Sequence, residues 1–298
     1  MSIPALSSKL RSNSKIGVFD SGVGGLTVLR EMCARMPQES VIYFGDTARV
    51  PYGNRSKGEI LRFVREIIAW MMGLDVKMII MACNTSSALV LEEVRSEFPI
   101  PILGIILPGA RAAVRSGKNI GVISTQATAK SNAYQQAVLE IDSTANVWQV
   151  GCQAFVPLIE GDRIHDPYTL AMAKRYVEPL IYNGIDTLVY GCTHYPHLAP
   201  VFRSFLPEHI TLVDPAKHLT AAAAQELEIL GLTNTTGSST TRAGSDEPTD
   251  FYVSGDPEQF AQVSKQWLGY QPIVKQVSVA TLEAIHATSS HATERPRC

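Results

Sequence analysis

From Lys15 onward the chain alternates short β-branched apolar runs with longer segments whose apolar positions recur every three or four residues. IGVF from Ile16, VIYFG from Val41 and MIIMA from Met78 read as strands, and residues 24–36, 60–72 and 85–97 between and after them read as helices. In the second of these, Ile60, Leu61, Val64, Ile67, Ile68, Met71 and Met72 recur at three and four and make one broad face expected to be buried, which Gly73 ends. Strands alternating with helices predict βαβ units around a parallel sheet.

The pattern is then repeated. IGVFDS at Ile16 returns as IGVIST at Ile120, an offset of 104, and MACNT around Cys83 returns as YGCTH around Cys192, an offset of 109. Each half runs from a strand and polar loop through a helix ended by glycine (Gly73, Gly184) and a second strand to a cysteine, then a helix with a proline-marked return (Pro99, Pro207). The expectation is an α/β protein of two pseudo-symmetric lobes, each a mostly parallel sheet flanked by helices. Their corresponding loops at the strand C-terminal ends would meet across a cleft, the active site.

After Val213 an Ala-rich helical stretch, 220–230, precedes the low-complexity TNTTGSSTTRAGSDEPTD, which reads as a solvated loop. The strand FYVSG and a helix over 257–268 then complete the first lobe. Lobe A is thus expected to be discontinuous, 15–101 plus 214–285, and lobe B to cover 102–213, with 1–14 and 286–298 as flexible tails.

A chain of 298 residues with 45% hydrophobic residues can bury cores of that size. Its 26 basic and 28 acidic residues, without a basic block, give no electrostatic footprint for nucleic acid. The longest apolar tract, 100–110, is broken by Pro101 and Pro108 and is shorter than the roughly 20 residues a bilayer needs. The start, MSIPALSSKLRSNSK, lacks the apolar stretch of a signal peptide, so a soluble cytoplasmic protein is expected. Its five cysteines contain no CxxC pair, which argues for free thiols and against a dithiol redox role.

The thiols carry the most chemistry. Cys83 and Cys192 each follow an apolar strand and precede a hydrogen-bonding pair, Asn84-Thr85 or Thr193-His194, where a helix is expected to begin. A helix N-terminus favours the thiolate. Matched cysteines in matched loops are hard to explain by packing alone, whereas Cys33, Cys152 and Cys298 read as ordinary small side chains. Cys192, His194 and His197 could suggest zinc, but no second ligand cluster appears. The turn Asp20-Ser21-Gly22-Val23-Gly24-Gly25 opens a helix as a dinucleotide fingerprint does. It has Thr27 in place of the third glycine, and Asp20 would repel a pyrophosphate. Asp20 could instead accept a substrate ammonium group or assist a thiol, and Asp46, Glu160 and His194 are further titratable groups able to tune the site.

One reaction needs two equivalent acid/base groups on opposite sides of a carbon, namely stereoinversion: one thiolate removes the α-proton and the other thiol returns one to the opposite face. Hydroxyls and amides at Ser21, Asn84, Thr85 and Thr193 suit the task of holding the carboxylate while charge develops. FDSGVGGLTVL, YFGDTARVPYG, ACNTSSA and GCTHYPHL, in that order, closely resemble bacterial glutamate racemases of the aspartate/glutamate racemase superfamily. The resemblance implies Cys83 and Cys192 as the acid/base thiols, assisted by Asp20 and His194 respectively. It implies glutamate contacts from Asp20, Ser21, Tyr52, Gly53, Asn84, Thr85, Thr193 and His194, and site electrostatics shaped by Asp46 and Glu160. It further implies an enzyme without cofactor or metal, commonly a homodimer, that supplies D-glutamate for peptidoglycan in the cytoplasm. Ser86, the loop 124–128 and His197 depart from the family pattern. An aspartate racemase, a single-thiol decarboxylase or isomerase, and a two-lobed binding protein are the alternatives.

Overall fold

The computed structural model describes residues 10–235 and 249–293. Strands β1 (Lys15–Asp20), β2 (Val41–Gly45), β3 (Val76–Met81) and β4 (Ile102–Gly104) are linked by helices α1 (Leu26–Arg35), α2 (Lys57–Met72) and α3 (Asn84–Glu97). Helix α4 (Ile106–Ser116) leads to β5 (Asn119–Ser124), α5 (Gln126–Ser131), α6 (Ala133–Ile141), β6 (Asn146–Gly151), α7 (Phe155–Glu160), α8 (Pro167–Tyr182), β7 (Thr187–Gly191), α9 (Ala199–Arg203) and β8 (Thr211–Val213). The chain ends with α10 (Pro215–Ile229), β9 (Thr249–Val253), α11 (Pro257–Leu268), β10 (Val274–Gln276) and α12 (Val279–Thr293).

All strand pairs are parallel, which requires the crossover helices the sequence pattern supplies. One sheet has the order β10-β9-β2-β1-β3-β4 and the other β6-β5-β7-β8. The first four strands and the second four therefore pair in the same order, and the repeat in the sequence is a repeat in topology. Local signals set the helices. Ser56 and Glu59 form a reciprocal capping box at the start of α2, and Gly184 takes the left-handed conformation (φ +74°) soon after α8.

Three expectations change. Strand β4 pairs with β3, so residues 102–104 extend the first sheet instead of opening the second lobe; so short a strand needs a partner edge, and β3 offers it. Helix α12 runs to Thr293, past the expected end of order at 285, because buried Leu282 anchors it against the core beneath α2. Residues 10–14 are also tied down: Leu10 packs on the core, and Arg11 and Ser14 bond the Asp75 carboxylate. Most of the low-complexity stretch, the start of the N-terminal arm and Cys298 lie outside the described residues.

Residues on β1 point alternately into two cores. Ile16 and Val18 join a cluster that includes Ile120, Val122 and Leu188 of the second sheet, while Phe19 joins Ile79 and Met81 under α2 and α3. The two sheets thus share a continuous core behind the expected cleft. No helix among the described residues is long and apolar enough to cross a membrane.

Lys77 is fully buried in β3, an apolar parallel strand where a charge must be paired. Its ammonium pairs with Glu39 and donates to the carbonyls of Leu232, at 2.8 Å, and Ser12, while Glu39 accepts from the Asn234 amide at 2.8 Å. The pair joins four chain segments. Lys77→Met strands a buried carboxylate and is expected to lower unfolding free energy by about 3–5 kcal/mol in urea titration, with Lys77→Met/Glu39→Leu recovering most of the loss. A double variant as unstable as the single one contradicts this assignment.

Candidate active site

The site forms at the C-terminal ends of the two sheets. Phe19 pairs with Met81 and Ser124 with Gly191, so Asp20 lies beside the chain leading to Cys83, and Thr125 beside Cys192. The β1–α1 turn then crosses to the other lobe. A Cβ on Gly24 would lie 2.3 Å from Thr193 Oγ1 and 2.5 Å from His194 Nδ1, and one on Gly25 would lie 2.5 Å from Asp20 Cβ. The glycines are required by this contact, and no phosphate cradle need be invoked for them. Thr27, which stands where the fingerprint has its third glycine, donates to the Thr193 carbonyl at 3.1 Å.

Cys83 and Cys192 line one small cavity, with Ser21, Tyr52, Gly53, Asn84, Thr85, Thr193 and His194 around them. The structure thus assembles most of the expected residues in one place. Thr125, Val50, Pro51 and Val156 complete the wall; none was expected as a site residue, because loop threonines and apolar residues carry no chemical signature there. Thr85, Thr125 and Thr128 hydroxyls lie 2.9–3.2 Å from one another and bridge α3 to α5, so the departing loop 124–128 is part of the site. The cavity measures about 40 Å³. That is room for roughly three waters. A wider pocket of about 440 Å³, which also reaches Glu160 and Cys152, shares Val50, Pro51, Gly53, Thr125 and Val156 with it.

The two thiols have unlike surroundings. Cys83 precedes α3, yet its thiol is pushed up to about 12 by burial and by the charge of Asp20, which outweigh the amide of Ser86 and the Ser21 hydroxyl 3.9 Å from its sulfur. The expected lowering by the helix N-terminus does not prevail, because a short run of amide dipoles cannot offset full desolvation. Asp20 is completely buried, where a solvated loop carboxylate is the ordinary case. It accepts from the Gly22 amide at 2.9 Å and the Thr193 hydroxyl at 3.3 Å. Burial raises its pKa, against the charge of His194 and its hydrogen bonds.

Cys192 has an imidazole–carboxylate line behind it. Its sulfur is 3.7 Å from His194 Nδ1, and His194 Nε2 is 2.9 Å from Glu160 Oε1. Burial disfavours the imidazolium, but the bonds to Cys192 and Glu160 outweigh it and raise His194 to about 10. Glu160 is the last residue of α7. Asp46 stands one layer behind the cavity wall, bonded by Arg49 at 2.8 Å, by Ser254 at 2.7 Å and by the Tyr52 hydroxyl. It holds the Tyr52 loop instead of facing the thiols.

Among the other cysteines, Cys152 is buried as expected, but Cys33 is exposed on the outer face of α1. His197 does not converge with Cys192 and His194 in the manner of metal ligands. Its ring lies 4.0 Å from that of Trp267, and no cluster of three or more His, Cys, Asp or Glu among the described residues could hold a metal ion.

The chain belongs to the Asp/Glu/Hydantoin racemase family: the family's sequence model matches residues 16–242, which include both thiols of the cavity. Within that family its similarity is to glutamate racemases. It is 63% identical to the glutamate racemase of Gloeothece citriformis over 89% of this chain and 92% of that one, and 61% identical to that of Synechocystis over 91% and 95%. Among solved structures, glutamate racemase from Bacillus anthracis superposes with a TM-score of 0.84 at 35% identity, covering 90% of this chain and 99% of that one. The Francisella tularensis enzyme in complex with D-glutamate gives 0.81 at 32%, covering 92% and 99%.

Burial, with the charges of His194 and Arg30, lowers His197 from 6.5 to about 4. Between those pH values the unfolded chain binds a proton that the folded protein refuses, so stability falls as pH drops from about 6.5 towards 4. His197→Leu is expected to flatten that decline, measured as the urea midpoint at pH 7 and at pH 4.5. Parallel declines in both proteins would show that His197 is not its source.

Proposed function

We propose that this protein interconverts L- and D-glutamate without a cofactor, by proton transfer between the substrate α-carbon and two thiols. The observation that carries the reading is that Cys83 and Cys192, from corresponding loops of the two sheets, line the same cavity. In one direction the thiolate of one cysteine takes the α-proton and the thiol of the other supplies a proton to the opposite face. The reverse reaction exchanges their roles.

The unlike surroundings divide the remaining work. His194, raised to about 10 and held by Glu160, is placed to share its proton with Cys192, giving it to that sulfur and taking it back. The charge of buried Asp20 favours the thiol form of Cys83, which keeps that sulfur an acid until the substrate's ammonium group, or a proton, neutralises the carboxylate. Ser21, Asn84, Thr85 and Thr193 supply donors for substrate carboxylates. The cavity shares the wall of Val50, Pro51 and Val156 with the wider pocket, which offers substrate a way in.

Glutamate is preferred to aspartate because the relatives of about 60% identity are glutamate racemases. On the family resemblance of its motifs alone, the proposal extends to a role in supplying D-glutamate for peptidoglycan in the cytoplasm, and to a homodimer. A non-catalytic binding protein would have no use for a thiol–imidazole–carboxylate line beside its ligand.

Incubation of either enantiomer in deuterium oxide is expected to give loss of optical rotation together with α-deuterium. Cys83→Ser and Cys192→Ser should each lower kcat by about 10²–10⁴-fold, the usual contribution of a general acid or base. Turnover that survives both substitutions, or glutamate binding without exchange, rules the mechanism out.

A further inference from the structure

Asn84 is buried at the cavity wall with the two ends of its side-chain amide in different situations. Its Oδ1 accepts a hydrogen bond of 2.7 Å from the Tyr134 hydroxyl, while its Nδ2 is buried with no hydrogen-bond partner among the described residues. A buried N–H group without an acceptor is unfavourable in the empty protein, and such groups are rare enough to call for an explanation. The explanation lies in what enters the cavity.

Orientation matters because an amide is a donor at one end and an acceptor at the other. Its NH₂ attracts a carboxylate oxygen, whereas its carbonyl repels one. A flipped Asn84 would leave the Tyr134 proton without its acceptor and turn an oxygen towards an incoming anion. The Tyr134 ring itself has little freedom. It is fully buried on α6, and the backbone of α4 packs so closely that a Cβ on Gly109 would lie 3.2 Å from the ring and 3.0 Å from Pro215 at the start of α10. Burial, with Asp214 and Cys192 nearby, holds the phenol well above its ordinary pKa of 10, so it remains a donor across the working range.

We propose that Tyr134 is a positioning residue for the substrate site: by holding Asn84 Oδ1, it commits Asn84 Nδ2 to a carboxylate oxygen of the bound amino acid. This rests on the racemase reading for the identity of the ligand, but the geometry requires only an anionic acceptor. Tyr134 belongs to the second lobe and Asn84 to the first, so the contact also makes recognition depend on both.

The test is a double-mutant cycle on the full-length protein with Tyr134→Phe, Asn84→Ala and their combination. It uses kcat and KM for both enantiomers, calorimetric binding of D-glutamate and thermal melting. Tyr134→Phe is expected to raise KM and Kd about tenfold, the scale of one hydrogen bond to a charged group, with kcat within about threefold of the parent. In the Asn84→Ala background it should add nothing. Asn84→Asp, which keeps the acceptor for Tyr134 and loses the donor, should bind as weakly as Asn84→Ala. Independent, multiplying effects in the double variant overturn the proposal, as does a fall in melting temperature and kcat without a change in KM. If the parent protein binds D-glutamate but does not racemise it, and Tyr134→Phe weakens that binding, the racemase reading fails while the positioning role stands.

Discussion

The structure depends on the contact between the turn after β1 and the loop after β7. Gly24 has no space for even one carbon atom between it and the Thr193 hydroxyl, and Thr27 and Asp20 both bond Thr193 across the gap. Because the sheets also share a core, this contact joins the two lobes at the reacting end as well as behind it. Asp20 and His194 thereby enter one electrostatic system, in which each alters the charge of the other's surroundings. A looser lobe arrangement would separate Asp20 from Thr193 and His194.

Symmetry of the backbone is accompanied by asymmetry of the chemistry. Ser124 occupies in the second repeat the strand end that Asp20 occupies in the first, and His194 corresponds to Thr85. One thiol is therefore set beside a buried carboxylate and the other beside an imidazole backed by Glu160. A racemase must act on both faces of a carbon whose other substituents differ, so two identical half-sites would serve it poorly. The duplicated fold supplies opposed thiols, and the divergent neighbours fit each to its side.

Behind the cavity, buried polar groups hold the loops that form it. Asp46 gathers Arg49, Tyr52 and Ser254, and Arg49 also pairs with Glu66 and covers the Phe63 ring at 4.2 Å. This network reaches from β2 to the segment after β9. The C-terminal strands of the first sheet therefore support the Tyr52 loop, which explains physically why the chain returns to that sheet after building the second. The Lys77–Glu39 pair ties the opposite side of the first sheet in a similar way.

Much of this was legible in the sequence. Apolar periodicity marked α1, α2, α3 and α11 to within a few residues, since amphipathic spacing is a local property, and the internal repeat exposed two matched sheets and the two cysteines. The repeat could not say to which sheet β4 belonged, because three apolar residues carry no information about their partner edge. Nor could it reveal the reason for Gly24, the layer in which Asp46 sits, the threonine triangle or Tyr134, all of which are contacts between distant segments. The sequence by itself determined the elements, their repeated order and the reactive groups, because spacing and residue chemistry are written along the chain. Only the tertiary structure decided the protonation tendencies of those groups and the direction each presents to the cavity. Those follow from desolvation and from neighbours that become neighbours only when the two sheets close on one another.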